Sequence, residues 1–201
     1  MNNKFILIFV IYLIITQINL LSLINCSYEI KGDIPDYNQP QLLVSTHDYE
    51  HIDLFVLINE FIKYGVKVTI ITANQIWNHI LYYYLLFIGV FHIDFVFVTE
   101  NTVNKMIDIL KNDEIVLIYL YRNNNSTGIY HTIKENNFPI TLCQIKSEHK
   151  PTNYDEGESV YTIFTENIGK EYTLSYENYS YSTNQRPDNF IQDIKNNLYT
   201  I

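Results

Sequence analysis

The run Ile115-Val116-Leu117-Ile118-Tyr119-Leu120-Tyr121 is apolar or aromatic at every position. A strand with one face in water alternates apolar and polar residues, whereas a parallel strand covered on both faces reads as a continuous run. The stretch therefore predicts a central parallel strand with helices above and below it. Its surroundings agree. Upstream, Val103, Met106, Ile107 and Leu110 fall at i, i+3, i+4 and i+7, one face of a helix that ends near Lys111. Further upstream, Leu42–Ser45, Val66–Ile71 and Phe91–Val98 read as strands. Between the first two, Ile52–Lys63 sets Leu54, Leu57, Ile58, Phe61 and Ile62 on a helical face that stops at Gly65. Gln75–Phe87 is helical with almost no polar face, which predicts either burial or a seat on lipid through Tyr82, Tyr83, Tyr84, Leu85, Leu86 and Phe87. Downstream, Ile140–Ile145 and Ser159–Thr165 add two strands, and Pro187 opens a last helix with Phe190, Ile191, Ile194 and Leu198 on one face. Strands alternating with helices predict an α/β domain with a mostly parallel central sheet flanked by helices.

The chain has 201 residues, 47 % of them hydrophobic and 17 % charged, enough apolar side chains for one packed domain. Its net charge of −9, with no cluster of Lys or Arg, argues against nucleic acid as a partner. Six glycines with no Gly-rich turn argue against a dinucleotide fingerprint or a phosphate-cradling loop. Cys26 and Cys143 are too few for a disulfide framework or a zinc finger. The 18 tyrosines read mainly as compositional bias, so a single Tyr carries little weight.

Phe5 to Ile24 contains no charged residue. At about 1.5 Å per residue such a helix covers about 30 Å, the hydrocarbon thickness of a bilayer. A cleaved signal has a shorter apolar core and small residues before the cut. Here the run ends in Leu23-Ile24-Asn25-Cys26, which favours an uncleaved single-pass anchor, with secretion as the alternative should it be cleaved. Residues 1–26 are thus expected to form the anchor, 27–40, with Pro35 and Pro40, a linker, and 41–201 the domain.

The densest chemistry is Ser45-Thr46-His47-Asp48-Tyr49-Glu50-His51-Ile52-Asp53, where the first strand gives way to the first helix. Open α/β sheets bind ligands at strand carboxyl ends. In one reading His47 is a general base whose ring Asp53 orients, a carboxylate on one nitrogen setting the tautomer and supporting the imidazolium. In a second, His47, Glu50 and His51 form the H-x-x-E-H pattern of a zinc protease, which belongs mid-helix and needs a third ligand. In a third, Ser45, Thr46 or Asp48 caps the helix and the histidines are exposed. Arg122, Asn123 and Asn124 follow the central strand, and an Arg among amides there is either an anion site or a solvated loop. His79 and His92 read as packed or surface residues. No metal or organic cofactor is called for.

The order of these features resembles the glycerolipid acyltransferases, the lysophosphatidic acid (PlsC-like) acyltransferase family, from about Gln41 to the end. THDYEHIDLFVL resembles the family's N-H-x4-D block, and ITANQIWNHILYYYLLFIGVFHID its second block. Leu110–Glu114 followed by IVLIYLYRNNNSTG resembles the approach to the phosphate-binding block, and Phe138-Pro139-Ile140-Thr141-Leu142 the later strand. The resemblance implies acyl transfer from acyl-CoA, as co-substrate, to a hydroxyl of a lysophospholipid or similar acceptor at a membrane. It casts His47 as base, Asp53 as its orienting carboxylate and the loop of Arg122, Asn123 and Asn124 as the phosphate holder. Five residues, not four, separate His47 from Asp53, Thr46 stands in place of Asn, and the phosphate block lacks its Glu and Gly. An inactive homologue is therefore among the expectations. EHIDLFVLINEFIKYGVKVTIIT also resembles the opening of nucleotide-sugar glycosyltransferases, which implies half of such an enzyme. A third expectation is a membrane-tethered binding domain without catalysis.

Overall fold

The computed structural model describes residues 27–46, 51–72, 81–83, 85–86, 89–120, 127–134, 136–147, 171–182 and 184–201. In chain order they form β1 (Tyr28–Lys31), β2 (Leu42–Thr46), α1 (His51–Tyr64), β3 (Val68–Thr72), β4 (Ile93–Phe97), α2 (Thr102–Lys111), β5 (Ile115–Leu120), α3 (Gly128–Ile133), β6 (Ile140–Ser147), β7 (Tyr172–Tyr179) and α4 (Pro187–Leu198). One sheet holds the strands in the order β1-β7-β6-β2-β5-β3-β4. The pairs β6–β2, β2–β5, β5–β3 and β3–β4 are parallel, while β7 runs antiparallel to β6. The domain is α/β with a mostly parallel sheet flanked by helices, as the alternation of apolar runs requires.

Side chains leave a strand on alternate sides, so each buried strand feeds two cores. Leu43, Val68, Ile70, Ile115 and Leu117 face one core with Leu54, Leu57, Ile58 and Phe61 of α1 and with helical Leu81 and Leu85. Leu42, Val44, Val116, Leu120, Ile140 and Leu142 face the other, with Met106 and Leu110 of α2, Ile129 and Ile133 of α3, and Phe190, Ile191, Ile194 and Leu198 of α4. The apolar run at β5 has the place its composition predicts, between β2 and β3 and parallel to both. Leu81 and Leu85 are fully buried, whereas Tyr83 and Phe91 are exposed. Of the described helical residues, Leu81 and Leu85 thus face the core, Tyr82 packs at its margin on Phe95, and Tyr83 lies in solvent.

Two helix ends show why the chain turns where it does. Gly65 has φ +62°, Val66 N–H donates to Phe61 O at 2.9 Å and Gly65 N–H to Ile62 O at 3.2 Å. This paired 6→1 and 5→2 bonding closes a helix on a left-handed residue that glycine adopts without a Cβ clash. Gly89, φ +85°, repeats it with Val90 bonded to Leu85 and Gly89 to Leu86. Because Gly65 and Val66 complete the helix, β3 starts at Val68 rather than at Val66.

The expected linker and last strands differ from what is observed. Tyr28–Lys31, read as linker, is edge strand β1, paired parallel with β7 from Tyr28↔Tyr172 to Lys31↔Ser175. The strand after β6 is Tyr172–Tyr179; the expected strand Ser159–Thr165 lies outside the described residues, as does the expected anchor, residues 1–26. Among the described residues no helix is long and apolar enough to cross a membrane.

Candidate functional site

The helices change sides at one place in the sheet. The connection after β2 passes over the face that α1 covers, and the connection after β5 passes over the face that α3 covers. Connections running towards β4 use one face and those running back use the other, as a single crossover hand requires. Such a reversal opens a crevice at the carboxyl ends of the two strands, where open α/β sheets bind ligands. Here the strands are direct neighbours. Thr46, the last residue of β2, is the register partner of Leu120, the last residue of β5. Residues 47–50 and 121–126 therefore continue from adjacent strand ends, about 4.8 Å apart across the ladder.

His47, Arg122, Asn123 and Asn124 lie outside the described residues, as do Asp48, Glu50, His79 and the side chain of His51. Asp53 is described. It is the third residue of α1 and fully buried. A carboxylate in a first turn gains from the helix dipole, but burial there costs several kcal/mol (about 3–5 when a partner is removed) unless it is paired. A fully buried acid at the helix start is thus not part of a solvated surface. Thr46 is also fully buried, and its Oγ1 has no hydrogen-bond partner among the described residues. Among those residues there is no group of three or more His, Cys, Asp or Glu able to hold a metal.

Two turns beyond Asp53, Glu60 is a second fully buried carboxylate on the same face of α1. Tyr28 of β1 donates to its Oε2 at 2.6 Å, and its Oε1 has no hydrogen-bond partner among the described residues. Close by, the hydroxyls of Tyr37 and Tyr176 bond at 2.9 Å. Burial raises the pKa of both phenols and of the fully buried Cys143 thiol, and the Glu60 charge adds to the shift of each tyrosine. Both phenols and the thiol are therefore neutral near pH 7 and are not nucleophiles. Sequence reading singled out Asp53 and missed this cluster. The available signal was the seven-residue spacing of two acids inside one apolar helical run.

No family model matches the chain, and no curated protein matches it either. The chemistry of the site therefore rests on its residues and their placement.

Proposed function

We propose that the protein is a membrane-tethered acyltransferase, held by residues 1–26, with its site at the reversal point between β2 and β5. One observation carries the reading: Asp53 is a fully buried carboxylate in the first turn of the helix that follows β2, whose end is paired with that of β5. His47, one residue beyond β2, takes the proton of an acceptor hydroxyl through one ring nitrogen while Asp53 holds the other. The oxygen attacks the thioester carbonyl of acyl-CoA, the tetrahedral intermediate collapses, and the C–S bond breaks. The imidazolium returns its proton to the departing thiolate. Arg122 with Asn123 and Asn124, beyond β5, holds an anionic group of the acceptor.

The extra residue between His47 and Asp53 bears on this geometry. In one continuous helix it would turn Asp53 by about 100°. The sheet order tells against the glycosyltransferase-like half: in the dinucleotide order 3-2-1-4-5-6 the first two strands of the unit are neighbours. Here β5 separates β2 from β3.

The test is incorporation of radiolabelled acyl groups from acyl-CoA into lysophospholipid by the full chain in vesicles, compared with His47→Ala and Asp53→Asn. Loss of a general base lowers the rate by about 10²–10⁴-fold. Equal incorporation by wild type and His47→Ala removes His47 from the chemistry. No incorporation by the wild type favours the tethered binding domain instead.

A further inference from the structure

Strand β1 decides where the chain leaves the domain towards its uncharged amino-terminal run. β1 is parallel to β7, β7 is antiparallel to β6, and β6 is parallel to β2. β1 therefore runs against the parallel strands and begins at the edge of the sheet where they end. Tyr28 pairs with Tyr172, and Tyr172 with Ser147, the last residue of β6. Ser45 pairs with Cys143, four residues before Ser147, so the start of β1 reaches about 13 Å beyond Ser45 along the strands. Sheet twist turns neighbouring strands by about 20–25°, and β2 is three strands from β1, so the two stay within a right angle of antiparallel. The start of β1 thus lies on the same side of the sheet as the end of β2, where the crevice with β5 opens.

We propose that this carboxyl edge of the sheet, with the crevice between β2 and β5, faces the bilayer and takes an amphiphile whose head group stands at the membrane surface. The proposal rests on the reading of residues 1–26 as an anchor, though not on acyl transfer. Covalent length carries it. Main-chain pairing holds as far as Ser27, whose carbonyl accepts from Tyr172 N–H at 3.2 Å. The uncharged run Phe5–Ile24 ends three residues before Ser27. A chain extends by at most about 3.6 Å per residue, so the hydrocarbon boundary lies within about 11 Å of Ser27. The opposite edge, at Ile140 and Tyr179, is seven residues along β7 from Tyr172, about 24 Å away. So short a tether does not reach back to the level of that edge. Exposed apolar side chains alone would choose otherwise: Phe91, just ahead of β4, lies at the opposite edge and is 76 % exposed. The tether overrides it, because one ring adds contact whereas chain length limits distance. With the crevice turned to the bilayer, a head group enters while its tails stay in hydrocarbon; turned away, the tails would have to cross water.

The test is energy transfer from a dye on single cysteines of the full chain to a rhodamine-headgroup lipid in phosphatidylcholine vesicles. Cys26→Ser removes one native thiol, and Cys143 is fully buried. Asn196→Cys and Thr200→Cys mark the carboxyl end of β5, where Tyr199 Oη donates to Leu120 O at 3.4 Å. Lys111→Cys and Asn112→Cys mark its amino end, just before Ile115. All four positions are exposed, and β5 holds its two ends about 17 Å apart. Greater transfer is expected from the two carboxyl-end labels than from the two amino-end labels. Equal transfer, or greater transfer from the amino end, overturns the orientation and leaves the anchor standing. A chain that does not float with the vesicles overturns the anchor and the orientation together. Two positions at each end decide the result even should one labelled variant fail to fold. None of these outcomes bears on His47, so the acyl-transfer reading is tested separately.

Discussion

Glu60 shows how the chain handles a charge-bearing group inside an apolar interface. It is fully buried between α1 and the sheet, and the hydroxyl of Tyr28 is the donor on its Oε2. Tyr28→Phe removes that donor and leaves a buried acceptor unsatisfied, so urea unfolding should show a loss of about 1–3 kcal/mol. Glu60→Leu combined with Tyr28→Phe removes both ends of the bond and should recover most of that loss, giving a coupling energy readable from the double-mutant cycle. An additive double variant would mean that the pair is not coupled. Asp53 drew notice in the sequence because it sits in a dense polar stretch at a strand end, and the structure shows it fully buried. Glu60 was not, because its partner is 32 residues away and only the fold brings β1 back against α1.

At the scale of elements, the strands and helices with strong periodicity were readable and the weakly patterned ones were not. Helix α1 and strand β5 announce themselves by apolar spacing and continuity. Strand β7 alternates Tyr172, Leu174, Tyr176 and Asn178 on one side with Thr173, Ser175, Glu177 and Tyr179 on the other. Its tyrosines form half of the pattern, and discounting them as compositional bias hid the strand. Strand β1 has only four residues and is defined by its pairing with β7, which no local signal carries. Helix α3 is a six-residue segment whose burial comes from packing against α2 and α4. The helix stop at Gly65 was legible, and it gives a clean test. A Cβ at Gly65 would meet nothing within 4 Å, so only backbone conformation opposes it. Gly65→Ala should therefore cost about 1–2 kcal/mol, the left-handed penalty of an L-residue. Gly65→Asn, which tolerates that conformation better, should cost less. Equal stability of Gly65→Ala and wild type in chemical denaturation would contradict the left-handed cap.

For the molecule as a whole, two helical layers on one sheet exchange faces between β2 and β5, where the proposed site lies, while buried phenols set the alkaline limit of stability. Burial raises the phenols of Tyr37, Tyr176, Tyr179 and Tyr181 above their ordinary value of 10.0. Below that value these groups are protonated in both folded and unfolded chains and contribute no slope. As pH rises past it, the unfolded chain releases protons that the folded chain retains, so stability falls, by at most about 1.4 kcal/mol per pH unit for each group. Thermal unfolding between pH 8 and 11 should therefore be level up to about 10 and decline above it, with a shallower decline in Tyr176→Phe. The most direct measurement for the site is an NMR titration of the His47 ring in the wild type and in Asp53→Asn. A carboxylate held against the ring favours the imidazolium. The midpoint of His47 is predicted to be higher in the wild type than in Asp53→Asn, and coincident titration curves would contradict the pairing on which the site is built.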